Sequence, residues 1–309
     1  MFNNVLTVTG QVLILYLLMS VGYGMTKLRR LSQQTTKQIT DLLLMVVTPC
    51  LIVNSFQNNI GNFDWNGLLW VALICSMTIG IAIVLSLFFY RRREEGQRAV
   101  LRYCMIYGNV GFMGIPLFES ILGAKGVFYG SVIVVVFNLF VWTHGVLLMN
   151  GSGQQIKLSR ALINPGTIGL LAGLPFYLFS VSFPAPIAKT VSLIASLNTP
   201  LAMLVIGSFI ARSNLRTAFS DRRVYVVSLV RLVLVPACMC LLLLLLPVPN
   251  KDVSTVCLVA AGTPVAAYAV LFSEKAGRDT ALSSSAVTVC TLLSVLTIPV
   301  LASIGRSIL

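Results

Sequence analysis

The chain has 309 residues, 57% of them hydrophobic and 10% charged, with a formal net charge of +13 and a mean hydropathy of +0.91. A soluble domain this apolar would have too little polar surface to show to water. Such a positive balance would suggest nucleic acid in a soluble protein. Here the basic residues sit in short clusters between long apolar runs, which is a membrane-topology pattern and excludes nucleic acid as the partner.

A bilayer core takes about 20 apolar residues per helix. Ten spans are expected, at roughly 5–25, 39–56, 68–90, 99–122, 127–149, 163–180, 191–211, 224–246, 253–272 and 281–304. The first run has no basic n-region before it and no small-residue cleavage motif ahead of Lys27. It reads as a retained span, not a signal peptide.

The loops alternate in charge. Basic ones carry Lys27/Arg29/Arg30/Lys37, Arg91/Arg92/Arg93/Arg98, Lys157/Arg160, Arg212/Arg216/Arg222/Arg223 and Lys275/Arg278. The intervening loops and the C-terminal end hold Lys125, Lys189, Lys251 and Arg306, a bias of 16 against 4. Lys and Arg collect in the cytoplasm, so both termini are expected outside it, with the chain in the cell inner (plasma) membrane.

Ten spans divide into two sets of five. Five is odd, so the second half is expected as an inverted copy of the first. Thr48-Pro49 in span 2 is echoed by Thr199-Pro200 in span 7. The interruption Gly108-Asn109-Val110-Gly111-Phe112-Met113-Gly114-Ile115-Pro116 in span 4 is echoed by Gly262-Thr263-Pro264 in span 9. The expected organisation is a first repeat over 1–149, a polar glycine-rich cytoplasmic linker over 150–161, and a second repeat over 162–309. The fold class is therefore an all-α polytopic membrane protein with broken helices 4 and 9 crossing.

Interrupted segments in matching places of two halves point to a transporter binding site, because irregular backbone at membrane depth survives only where it lines a cavity. Pro116 cannot donate a backbone hydrogen bond, and Gly111 and Gly114 permit unusual dihedrals and close approach. A half-helix starting near Pro116 would present free N–H groups and a positive dipole end. In span 9, Thr263 is the expected N-cap and Pro264 the first helical residue. Two such ends would attract a carboxylate. The carbonyl ends of the preceding half-helices are the alternative, as a cation site. The plain alternative to both is a pair of proline kinks that shape packing.

Asn109, just before the first break, is a candidate for substrate contact or for bridging the crossing backbones. Thr48 and Thr199, beside prolines, are candidates for contact or for satisfying freed carbonyls. Asn138 in span 5 and the break residues Gly111, Gly114, Pro116, Thr263 and Pro264 complete the candidate substrate set. His144, the sole histidine, reads as packing or capping, with proton transfer the alternative. Arg231, about two turns into span 8, reads as a basic side chain that snorkels to the interface, with anion binding the alternative. Seven cysteines, all within apolar runs and without a CxxC, read as free apolar residues. No metal site or cofactor is expected.

The stretch Asn109–Leu117, the downstream Gly123, Gly126 and Tyr129, and Asn138 with Trp142-Thr143 resemble the first half of bacterial auxin efflux carrier family transporters. Thr48-Pro49 and Gly262-Thr263-Pro264 match as well, and the similarity covers essentially the whole chain. The resemblance implies a ten-helix fold related to bile acid/sodium symporters, with spans 4 and 9 crossing at mid-membrane. It also implies organic anions as substrates, small carboxylates such as malate or malonate rather than auxin, since the central loop is short.

The functional expectation is a secondary transporter of small organic anions that alternates access around the crossed breaks. A sodium- or proton-coupled carrier of another small solute is the alternative. None of the nine acidic residues lies at the centre of a span, which argues against antiport through a central Asp pair and leaves sodium held by hydroxyls and carbonyls open. No DDxxD, GxSxG or HExxH pattern is present, so an enzyme is not expected. A receptor is less expected, for want of an extramembrane domain. A homodimer is left open.

Overall fold

The computed structural model describes residues 2–61, 64–150, 165–248 and 250–307. Among these there is no β-strand, only an isolated antiparallel bridge. The helices are α1 (Phe2–Lys27), α2 (Gln33–Gln57), α3 (Trp65–Phe88), α4 (Glu95–Ile106), α5 (Val110–Asn150), α6 (Pro165–Leu178), α7 (Ala185–Arg212), α8 (Leu215–Ser220), α9 (Arg222–Leu245), α10 (Lys251–Ala261), α11 (Tyr268–Lys275) and α12 (Thr280–Ser307). The expected linker over 150–161 lies, beyond Asn150, outside the described residues, as does the start of the span expected over 163–180.

Several starts carry the side-chain oxygen that a free helix end needs. Ser32, Asp64 and Asn250 accept the N–H of Thr35 (3.0 Å), Gly67 (2.8 Å) and Val253 (2.9 Å). Three prolines follow the same device: Pro49, Pro116 and Pro236 each come two residues after a π-helical turn, at Leu43–Val47, Val110–Gly114 and Val230–Leu234. A proline lacks the N–H and crowds the carbonyl four residues back, and a widened turn accommodates both.

Among the described residues, six segments are long and apolar enough to cross a membrane: α2, α3, α5, α7, α9 and Thr280–Arg306 within α12. Shorter apolar stretches occupy Val12–Lys27 and Thr167–Leu178. α5 is two arms in one run. Gly123 at φ 60° and ψ −144° turns the chain inside it, a conformation that suits glycine, so the expected spans 99–122 and 127–149 meet at one residue. The expected span 253–272 is divided into α10 and α11.

Large apolar side chains such as Leu13, Leu69, Phe88, Leu245 and Leu296 point outward, as lipid-facing helices require. Inside, α1 and α7 touch through glycines: a Cβ at Gly22 would overlap the Leu204 carbonyl, and one at Gly207 the Met19 carbonyl. Small residues at such contacts let membrane helices approach closely. Phe56, Phe128 and Tyr177 join α2, α5 and α6, with centroids 5.1–5.5 Å apart.

Polar contacts gather the helix ends in two sets. In one, Asp64 accepts from Tyr129 and Asn250, and Lys125 pairs with Asp252 at 2.7 Å. In the other, Arg212 bonds the Leu31 carbonyl (2.9 Å), Arg278 the Met149 carbonyl (3.2 Å), and Arg223 pairs with Asp221 at 2.7 Å, holding that carboxyl below the usual carboxylate range. The second set collects the basic loops.

Candidate functional site

The breaks between α4 and α5 and between α10 and α11 lie against each other. Gly108 and Val265 form the antiparallel bridge, the Tyr107 carbonyl accepts from the Ala266 N–H at 2.9 Å, and the Asn109 N–H donates to the Pro264 carbonyl at 2.6 Å. The chemistry of the segment explains this. A residue before proline is pushed to extended backbone, which carries Thr263 out of the helix. Two short extended stretches then satisfy one another's backbone groups, as burial demands. Gly108 has no alternative at the contact, since a Cβ there would overlap Arg231 Nη2 and Thr263 Oγ1.

This geometry corrects both expected helix starts. α5 begins at Val110, not near Pro116: Asn109 is its N-cap, with Oδ1 accepting from the Phe112 N–H at 3.2 Å. Pro116 is buried beyond the first turn. Thr263 caps no N-terminus. Its hydroxyl donates to the Ala260 carbonyl at 2.8 Å, closing the end of α10. α11 begins at Tyr268 behind Ala267, with no side-chain cap, because the preceding residues are drawn out to pair with 107–109.

A cavity of about 50 Å³ opens beside the crossing. Its wall includes Leu44, Thr48, Gly108, Asn109, Gly111, Phe112, Phe137, Asn138, Ala266, Ala267 and Tyr268. Of the candidate substrate residues, Thr48, Asn109, Gly111 and Asn138 therefore come together. Gly114 packs on Phe118 and, with Pro116, Thr263 and Pro264, lies outside the lining. Thr199 is turned elsewhere, donating to Glu119 Oε2 at 2.9 Å. Thr48 reaches across to Asn198 Oδ1 at 3.3 Å, joining α2 to α7.

The starts of α5 and α11 both border this cavity. Helix N-termini carry free N–H groups and partial positive charge, so two of them turn the same face toward an anion. The lining contains no carboxylate to oppose it. A void this size holds a few waters, and a dicarboxylate requires the walls to part.

The ends of α4 and α10 meet on the far side, where Arg231 lies. It does not snorkel: it is 3% exposed, in the π turn of α9. Its Nε donates to the Thr263 carbonyl (2.9 Å), Nη1 to the Ile106 carbonyl (3.3 Å), and Nη2 to the Ala260 carbonyl (3.2 Å) and Thr263 Oγ1 (3.3 Å). The carbonyls expected as a cation site are thus held by a guanidinium. His144 lies beside the crossing rather than in its cavity, with Nδ1 2.8 Å from the Tyr107 hydroxyl.

A family model described as membrane transport protein matches residues 7–302. The chain belongs to this family. It is the family of the auxin efflux carriers to which the span-4 pattern points. An uncharacterized transporter of Methanothermobacter thermautotrophicus is 26% identical over 304 residues, covering 94% of this chain and 96% of the relative. Another, of Methanocaldococcus jannaschii, is 23% identical over 297 residues, covering 93% and 95%. In this membrane transport protein three site features carry little sequence signal. Gly108 looks like one glycine among several in its stretch. Ala266 and Ala267 look like ordinary apolar residues. Arg231 had a faint one, a lone charge in an apolar run shortly before Pro236.

Proposed function

We propose that this transport protein is a carrier of small organic anions, of the malate or malonate class, that binds them at the crossing and alternates access around it. The observation that carries the reading is the cavity bordered by two helix N-termini together with Asn109, Asn138 and Thr48, with no carboxylate in its wall. Carboxylates suit that mix of dipole ends, amides and a hydroxyl.

In this reading ten spans cross the membrane: α1, α2, α3, α4 with 110–122, 124–150, α6, α7, α9, α10 with α11, and α12. They form two inverted sets of five, with the termini outside the cytoplasm of an inner-membrane protein. Support comes from matched irregularities. α2 carries a π turn before Thr48-Pro49, α7 a turn just before Thr199-Pro200, and the fourth and ninth spans both break. A C-terminal reporter that works only in the cytoplasm should stay silent, and a strong signal would overturn this topology.

The transport test is uptake and counterflow of labelled malate and malonate in proteoliposomes. Saturable counterflow is expected, and its absence for all small carboxylates would remove the anion reading. Proton coupling is the second reading, favoured by the His144–Tyr107 contact at the edge of the crossing. Uptake driven by a pH gradient in the wild type but not in His144→Gln would support it.

A further inference from the structure

We propose that Arg231 is a resident counter-cation, occupying the place at the helix crossing where a coupling sodium would otherwise sit, and that this carrier therefore works without sodium. The inference deepens the anion-carrier reading and rests on it only where transport is measured.

The argument begins with charge. A helix C-terminus carries roughly half a negative charge, so the ends of α4 and α10 together present about −1 to their shared space. A guanidinium supplies one positive charge and five N–H donors in a planar fork. Arg231 fits both requirements. Its three nitrogens reach carbonyls from both breaks, Ile106 on one side and Ala260 and Thr263 on the other, and take the Thr263 hydroxyl as a fourth acceptor. Among the described residues the two ion pairs are Lys125–Asp252 and Arg223–Asp221, so no carboxylate balances Arg231. A buried cation without an acidic partner is stable only where dipoles replace water.

Those same oxygens, three carbonyls and a hydroxyl from converging helix ends, are the hard ligands that would hold an alkali ion. They are already used. The crossing is thus polarised by fixed parts. A permanent cation neutralises the negative ends behind it, and the two positive ends in front remain for the transported anion.

Two sets of measurements separate this from a merely structural arginine. The first uses thermal midpoints of the purified full chain in detergent and needs no substrate. The wild-type midpoint should be the same in sodium chloride and in choline chloride at equal ionic strength. Arg231→Ala should lower it by roughly 5–10 °C, as loss of a buried charged partner does. Millimolar guanidinium should recover much of that loss, and urea, the same shape without the charge, should recover none. A wild-type midpoint raised by sodium specifically, equal rescue by urea, or an Arg231→Ala protein with the wild-type midpoint would each overturn the proposal. Should Arg231→Ala give no folded protein, Arg231→Lys and Arg231→Met decide: a charged variant that outlasts the neutral one supports it, and equal midpoints overturn it. The second measurement is labelled malonate uptake into wild-type proteoliposomes, expected at equal rate in sodium and choline. No uptake in either buffer would count against the carrier reading and leave the midpoint results standing. Uptake that requires sodium would overturn the role of Arg231 alone.

Discussion

The two helix breaks share a signature of glycine and proline but are built differently. The first is short, 107–109, and takes its cap from its own chain, since Asn109 Oδ1 closes the start of α5. The second is longer, 262–267, and leans on a distant residue more heavily: Arg231, on α9, binds the carbonyls of Ala260 and Thr263 there, against the single Ile106 carbonyl at the first. The start of α11 behind Ala267 has no side-chain cap at all. Of the two positive ends at the cavity, that of α11 is therefore the more open to an anion. Two breaks that look alike in sequence thus divide the work. One positions the crossing and offers an amide, and the other presents a helix end that no side chain caps.

The largest effect should come from Gly108, where the two breaks touch. In Gly108→Ala the new methyl would overlap Thr263, in the other break, and Arg231, the α9 side chain that binds both breaks. Overpacking of a tight contact costs about 1–3 kcal/mol and often displaces backbone, so both thermal stability and uptake should fall sharply. Gly111→Ala is the matched control. No atom lies within 4 Å of its would-be Cβ, and it faces the cavity. Its stability should hold or rise slightly, as for alanine replacing glycine in a helix, while uptake falls. Equal midpoints for the two variants would show that the breaks do not press together at Gly108.

Asn109 tests the division of work directly. Asn109→Ala removes both a cap and an amide. The cap is worth about 1 kcal/mol. A hydrogen bond to a charged ligand is worth about 1.5–3 kcal/mol, or roughly 10- to 150-fold in affinity. Asn109→Asp separates the two. Aspartate is an equally good N-cap, so the midpoint should stay near wild type, yet its charge repels an anion and uptake should be lost. Normal malonate affinity in Asn109→Asp would place the anion elsewhere and make Asn109 a cap only.

Much of this arrangement was legible in the sequence because it depends on residue types with strong backbone consequences. Pro116 and Pro264 announced the breaks, and the corresponding places of those breaks suggested that they meet. Thr48, Asn109 and Gly111, which line the cavity with Asn138, stood out as candidates because each lies beside a proline or within a break. The exact helix starts were not legible. They depend on pairing between residues more than 150 positions apart, Asn109 with Pro264 and Tyr107 with Ala266, which no local propensity encodes. Arg231 was misjudged for a related reason. Distance from the end of a run suggests snorkelling, and only the arrival of two other helix ends at its guanidinium makes burial favourable.

The smallest expected effect comes from Thr263, which the sequence made a substrate contact and the structure puts behind the crossing. Its hydroxyl donates to the Ala260 carbonyl at 2.8 Å and accepts from Arg231 Nη2 at 3.3 Å. Thr263→Val keeps the shape, and a β-branched residue suits the extended backbone that Pro264 demands. It removes the hydroxyl alone. Arg231 gives up one of its four acceptors and keeps the Ala260 carbonyl at 3.2 Å on the same nitrogen, with the Thr263 and Ile106 carbonyls on the other two. The expected loss is that of ordinary hydrogen bonds, about 1 kcal/mol, read as a small drop in thermal midpoint. Malonate affinity should be unchanged, because the cavity wall does not include this side chain. An affinity loss approaching that of Asn109→Ala would mean that the anion reaches past the bridge to the second break, and the two breaks would then share the ligand rather than divide the work.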